Sequence, residues 1–161
     1  MNSLLLIIDL QKSFINNNTV GIIKKIENLL IEKKYDNVIF TKFINTYDSI
    51  WYNKLNYSGC LTLDEQSIVI DIDSKDKVID KTIYSAFNDE LKKYIIENNI
   101  DKIYLCGIDT ECCVLKTAFD LFENGYDVYV LKDYCACTVG IERHNNAIEI
   151  LKRNIGYDSV I

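Results

Sequence analysis

Short apolar runs alternate with amphipathic stretches from one end of this 161-residue chain to the other, and that alternation restricts the fold more than any other feature. Residues 4–9 read as a buried strand, and residues 20–34 place Ile22, Ile23, Ile26, Leu29 and Leu30 at helical spacing. A strand at 38–41 follows, then a polar, aromatic excursion with Trp51, Tyr52 and Tyr57, read as loop with one short helix. Residues 67–71 read as an edge strand or as part of that excursion. The alternation then resumes: strand 77–80, helix 86–98 opening after Ser85, strand 102–107, helix 111–124 ending at Gly125, strand 128–131, helix 142–154 and a final short strand 157–161. Strands separated by helices in this way predict one α/β domain over 1–161, a parallel sheet with helices on both faces.

Such sheets bind ligands outside the carboxyl ends of their strands, so the polar residues there matter most. They are Asp9, Thr41 with Lys42, Lys81, the 107–113 turn, and Asp133 onward. Asp9 follows five apolar residues, a costly place for a carboxylate unless it is paired or solvated at a site; a turn or cap is the structural alternative. Lys81 ends a strand, where most lysines are simply solvated. The densest signal is Gly107-Ile108-Asp109-Thr110-Glu111-Cys112-Cys113-Val114. A strand stops at a glycine, and Thr110 is placed to cap a helix whose first turn carries two cysteines. Open N–H groups and the helix dipole at that position are expected to lower a thiol's pKa and to receive a developing oxyanion. Cysteine is also a common core residue, so its place at a strand-to-helix elbow on the ligand side is what favours a nucleophile.

Composition excludes several classes. Net charge is −6 and no cluster of Lys and Arg carries interleaved aromatics, so nucleic acid is not an expected partner. No apolar run reaches membrane-spanning length, and the first residues lack the basic start of a signal peptide. Six cysteines in a chain of this size and regularity read as free thiols in a reducing compartment, so a cytoplasmic location is expected.

Together the motifs resemble the isochorismatase-like cysteine hydrolases, the superfamily of nicotinamidase-type enzymes. Asp9-Leu10-Gln11-Lys12-Ser13-Phe14 is similar to the family's D-x-Q-x-x-F, Lys81-Thr82-Ile83-Tyr84-Ser85-Ala86-Phe87 to its K-x-x-[YF]-S-x-F, and Gly107 through Ala118 to its G-x-x-T-[DE]-x-C-V-x-x-T-A. The segment 144–156 also resembles the family's last helix, and the likeness covers nearly the whole chain. It implies a Rossmann-like three-layer sandwich with a mostly parallel six-stranded sheet in the order 3-2-1-4-5-6. It implies a catalytic triad of Asp9, Lys81 and a cysteine, which the register of T-x-x-C-V makes Cys113 rather than Cys112. It further implies a cis peptide between Ile108 and Asp109, with the N–H groups of Asp109 and Cys113 as oxyanion hole. The reaction so implied is hydrolysis of an amide-type C–N bond in a small molecule through a thioester. Vinyl-ether hydrolysis, and a binding protein on the same fold without catalysis, are the alternatives. Retention of the thiol favours the first over vinyl-ether hydrolysis, and the intact Asp-Lys-Cys set favours it over a binding protein.

Phe14, Trp51 and Tyr84 are candidate walls of a substrate pocket, although core packing accounts equally well for Phe14. Nicotinamidases of this group hold a metal with an aspartate and histidines near the second strand, whereas 41–48 contains no histidine. No metal, no cofactor and a substrate other than nicotinamide are therefore expected. His144 reads as a surface or cap residue, and Cys60 and Cys106 as packing. Cys112, Cys113, Cys135 and Cys137 lie near adjacent strand ends but lack the C-x-x-C spacing of a zinc knuckle. The aromatic 47–57 stretch and the habit of related enzymes predict a homodimer or homotetramer.

Overall fold

Leu4 to Ile8, five consecutive residues of strand β1 (Asn2–Ile8), are completely buried, so helices must cover this strand on both faces. The computed structural model, which describes residues 2–161, places β1 at the centre of a five-stranded sheet. Its other strands are β2 (Asn37–Phe43), β3 (Lys77–Lys81), β4 (Ile100–Ile108) and β5 (Asp127–Ala136). All neighbours pair in parallel, in the order β3-β2-β1-β4-β5. Chain order reverses at β1, which leaves a crevice beyond its carboxyl end, between β2 and β4.

The expected sixth strand does not form. Residues 157–161 open with a 3₁₀ turn (Tyr157–Ser159) after Gly156, and only Val160 bridges β5, opposite Val130. Two backbone hydrogen bonds hold the chain end there, from Lys132 N to Ile161 O and from Ile161 N to Val130 O, both 2.9 Å. The turn consumes the residues that a strand would need. Segment 67–71 likewise contributes a single antiparallel bridge, Ile68 to Gln11.

Five α-helices connect and cover the sheet: α1 (Gly21–Ile31), α2 (Ile50–Leu55), α3 (Asp89–Glu97), α4 (Leu115–Glu123) and α5 (Ile141–Ile155). Their buried faces follow the helical period, as Ile22, Ile26 and Leu29 do in α1 and Ala147, Ile148, Leu151 and Ile155 in α5. Helix α3 starts three residues later than expected. Ala86 is held by its N–H to Thr117 Oγ1, and the side chain of Asn88 caps the helix by accepting from Leu91 N. Among the described residues no helix is long and apolar enough to cross a membrane.

Gly107 marks the closest approach within the sheet. It pairs with Ile8 at φ +119°, and a Cβ there would lie 2.1 Å from the Ile8 carbonyl oxygen. Only glycine lets β4 lie this close to β1 where both strands deliver their functional ends. Gln11 performs a similar service on the other side. Its buried amide donates to Phe43 O and Gln66 O and accepts from Phe43 N, joining the end of β1 to the end of β2.

Candidate active site

Three strand ends deliver Asp9, Lys81 and Cys113 to one buried point. Asp9 directly follows β1, with φ +47°, a left-handed conformation that aspartate tolerates better than most residues. Its Oδ2 lies 2.6 Å from Lys81 Nζ, and both side chains are at most 1% exposed. Its Oδ1 accepts from Thr41 Oγ1 at 2.7 Å, and Thr41 Oγ1 in turn accepts from the Asp9 backbone N–H at 3.1 Å. Lys81, the last residue of β3, donates to Cys113 Sγ at 3.4 Å and to the Ile83 carbonyl at 3.0 Å. The ammonium also sits 5.2 Å from the centre of the Phe43 ring. An ion pair this deeply buried survives because each partner is also hydrogen-bonded elsewhere.

Charge explains the protonation of this group. Burial alone would lower the Lys81 pKa, but Asp9 and Cys113 outweigh it and hold the lysine above its usual value. The Cys113 thiol is pushed well up by burial and by Asp9, with Lys81 opposing. The helix terminus led to the expectation of a lowered thiol pKa; burial and the Asp9 charge push it the other way.

The backbone around Cys113 departs from an ordinary helix start. Thr110 was the expected cap, yet the helical segment begins with Thr110 itself, as a π-helical turn (Thr110–Val114) leading into α4. The carbonyl of Asp109 would receive the Cys113 N–H in an α-helix; here it accepts from Val114 N at 3.1 Å and from Cys112 N at 3.2 Å. The π register therefore passes over the Cys113 amide as a donor to the Asp109 carbonyl. The peptide bond Ile108–Asp109, directly before this turn, is cis. The Thr110 hydroxyl is hydrogen-bonded to His144 Nδ1 at 2.8 Å, so His144 is a half-buried second support of the elbow and not a surface or cap residue. Burial lowers its pKa.

A cavity of about 390 Å³ opens onto Cys113, within the usual size range of small-molecule sites. Phe14, Trp51 and Tyr84 all line it. Trp51 is fixed by its indole N–H to Thr82 O at 2.9 Å and packs on Tyr84 with ring centres 4.5 Å apart. Phe43, Tyr57, Glu111 and Thr138 line the same space and escaped sequence reasoning. Phe43 and Tyr57 carried no motif, while Thr41 was noted only as a polar strand end. Asp109 also faces the cavity, its carboxylate accepting from the backbone N–H and the hydroxyl of Thr138. Burial pushes the Asp109 pKa up to about 6, against the pull of those hydrogen bonds.

The stretch 41–48 does not fit a metal site. Asn45, buried in its middle, gives its amide N–H groups to Tyr57 O and Gly59 O, and its oxygen accepts from Thr46 N and Ser49 Oγ. The four cysteines near the strand ends do not converge either. Among the described residues the one set of three potential ligand atoms mutually within 4.8 Å belongs to Asp109, Glu111 and Cys137. Cys135 instead donates to Leu131 O at 3.3 Å. All six cysteines are free.

Comparison with known proteins places the chain in a family and agrees with its fold. The model of the isochorismatase domain matches residues 3–157. An isochorismatase family protein, 2A, of Dictyostelium discoideum is 37% identical over 79 residues, 48% of this chain and 39% of that protein. The nicotinamidase of Saccharomyces cerevisiae is 36% identical over 72 residues, 40% of this chain and 33% of the yeast protein. The matches thus span well under half of these curated relatives. Among solved structures, a pyrazinamidase of Pyrococcus horikoshii in complex with zinc superposes with a TM-score of 0.86 at 23% identity, covering 100% of this chain and 99% of the other. A nicotinamidase of Bacillus subtilis does so with a TM-score of 0.80 at 21% identity, covering 96% and 97%. These likenesses concern the fold, and the domain match extends over nearly the whole sequence: the chain belongs to the isochorismatase family.

Proposed function

We propose that this protein is a cysteine-dependent hydrolase that cleaves an amide-type C–N bond of a small molecule, with Asp9, Lys81 and Cys113 as its triad. The observation that carries the reading is the buried contact of Lys81 with both Asp9 and Cys113, at the floor of an aromatic cavity. Cys113 attacks the amide carbon as its proton passes to Asp9. The N–H groups of Asp109 and Cys113 receive the oxyanion, and the π register that passes over the Cys113 amide supports that role. Collapse of the tetrahedral intermediate breaks the C–N bond, and the amine leaves with the proton from Asp9. Asp9 then deprotonates a water that attacks the thioester, releasing the acid and returning the proton to sulfur. Lys81 holds the carboxylate in place and balances the negative charge as it moves between oxygen and sulfur.

No metal takes part in this reading, since neither the composition nor the hydrogen bonding of 41–48 suits one. Vinyl-ether hydrolysis of a dicarboxylate such as isochorismate is disfavoured because Asp109 and Glu111 line the cavity and no lysine or arginine does. The substrate is a small molecule, six free thiols suit a cytoplasmic location, and no nucleic acid partner is expected. The exposed Tyr47, Ile50 and Leu55 beside the cavity support a homodimer or homotetramer, which light scattering at micromolar concentration tests. The decisive experiment is ammonia release from a panel of small primary amides, ureides and carbamoyl compounds. At least one should be turned over, and Cys113→Ala should abolish the release. Turnover unchanged in that variant would refute the thioester route.

A further inference from the structure

The Ile83 carbonyl that receives the Lys81 ammonium belongs to a turn with little else to hold it. Strand β3 stops at Lys81, and the main chain is next pinned at Ala86, whose N–H donates to Thr117 Oγ1. Between these points residues 82–84 are exposed, and among the described residues they make no hydrogen bond to other main-chain groups. Two side-chain donors bind the turn instead. The Lys81 ammonium donates to Ile83 O at 3.0 Å, and the Trp51 indole N–H donates to the adjacent Thr82 O at 2.9 Å. An exposed turn without main-chain bonds would otherwise sample several conformations.

Trp51 is itself firmly seated. It lies in α2, which Ser49 caps by accepting from Tyr52 N, and its carbonyl accepts from the N–H groups of Asn56 and Tyr57. Its ring packs on Tyr84 of the same turn and meets Phe43 edge-on, and the Phe43 ring centre lies 5.2 Å from Lys81 Nζ. We infer that Trp51 is a positioning residue for Lys81: its indole N–H holds the 82–84 turn so that the Ile83 carbonyl keeps the buried ammonium between Asp9 and Cys113. This rests on the reading of Lys81 as the partner of Cys113. The lysine side chain is 1% exposed, so water does not readily replace an acceptor that has moved away. The wall that receives the substrate and the charge that serves the thiol are thereby one hydrogen-bonded unit.

Trp51 is the chain's only tryptophan, so replacing tryptophan biosynthetically changes this residue alone. Benzothienylalanine keeps the shape of the ring but has sulfur where indole has N–H, and fluorotryptophan, which keeps the N–H, is the control. With an amide that the protein hydrolyses, benzothienylalanine should lower kcat about fivefold and leave KM within about twofold. Fluorotryptophan should leave both within about twofold. Iodoacetamide modification of Cys113, in a Cys112→Ala background, reads the lysine without turnover. Lys81 opposes the rise in the thiol's pKa, so a poorly held ammonium should move the pH-dependent rise in modification rate to higher pH. That movement is expected with benzothienylalanine and not with fluorotryptophan, and Trp51→Phe repeats the measurement should the benzothienylalanine protein fail to fold. An unchanged kcat, a loss confined to KM, a modification profile that stays in place or moves to lower pH, or an equal effect of both analogues would overturn the inference. Its failure is separable from that of the hydrolase reading. If no amide is hydrolysed, a profile moved to higher pH sinks only the hydrolysis; if amides are hydrolysed, an unmoved profile sinks only the positioning.

Discussion

Thr41 donates its hydroxyl proton to Oδ1 of Asp9 while its oxygen accepts the Asp9 backbone N–H, so one side chain of β2 holds both the carboxylate and the main chain of the proposed base. The free rotation that a carboxylate on a turn would have is removed, and Oδ2 is left directed at Lys81. Loss of a hydrogen bond to a charged group costs about 1.5–3 kcal/mol, so Thr41→Val should lower kcat by roughly 10- to 100-fold. Thr41→Ser should retain most of it. KM should change little in either, because Thr41 lies beneath the cavity. A serine variant as impaired as the valine variant would show that packing, not the hydroxyl, is what matters.

Cys113 and Cys112 are separable by substitution. Cys113 is buried beside Lys81, whereas Cys112 is half-buried in the cavity wall with its pKa pushed up to about 11, chiefly by burial. Cys113→Ala should remove hydrolysis and Cys112→Ala should spare it within about tenfold, as expected for a group that packs near the reacting atoms without bonding to them. The reverse outcome in two folded variants would reassign the nucleophile.

Asp9→Asn should separate thiol reactivity from catalysis. Burial and Asp9 raise the Cys113 pKa and Lys81 lowers it, so deleting the carboxylate's charge moves the thiol pKa down. In a Cys112→Ala background, iodoacetamide should modify Cys113 slowly at neutral pH and faster as pH rises toward the thiol pKa. Asp9→Asn should shift that rise to lower pH while abolishing turnover. Alkylation that slows in Asp9→Asn contradicts the sign.

Gly107→Ala should destabilise the fold by about 2–4 kcal/mol, because φ is positive and the new methyl group meets the Ile8 carbonyl oxygen. Urea denaturation measures it. Since Ile8 leads directly into Asp9, whatever folds should also lose turnover.

Dialysis against a strong chelator should leave ammonia release unchanged. Loss of activity restored by zinc or iron would show that ligands outside the 41–48 stretch hold a metal.

Much of this site was legible before the structure because its residues announce themselves locally. Asp9 follows an apolar run and Lys81 a strand, while the choice of Cys113 over Cys112 rested on the resemblance to the family's T-x-x-C-V. What escaped depends on the third dimension. The Thr41 hydroxyl matters only once β2 lies beside β1, and His144 reaches Thr110 only after α5 folds back on the elbow. The π-turn left no trace in the hydrophobic period, since it alters which carbonyl an amide meets and not which side chains are buried. The thiol's raised pKa escaped for a related reason: a helix terminus is visible in a sequence, but the degree of desolvation around it is not. The missing sixth strand was a matter of length, its few residues being spent on a turn after Gly156.

Lys81 Nζ donates to Cys113 Sγ and to the Ile83 carbonyl while its charge is paired with Asp9. The ammonium is therefore engaged with three partners before any substrate arrives. A tetrahedral point donor meets this demand, whereas arginine's flat fork spreads its donors in a single plane. The position asks for a shape as well as a charge, and the two cationic side chains are not interchangeable there.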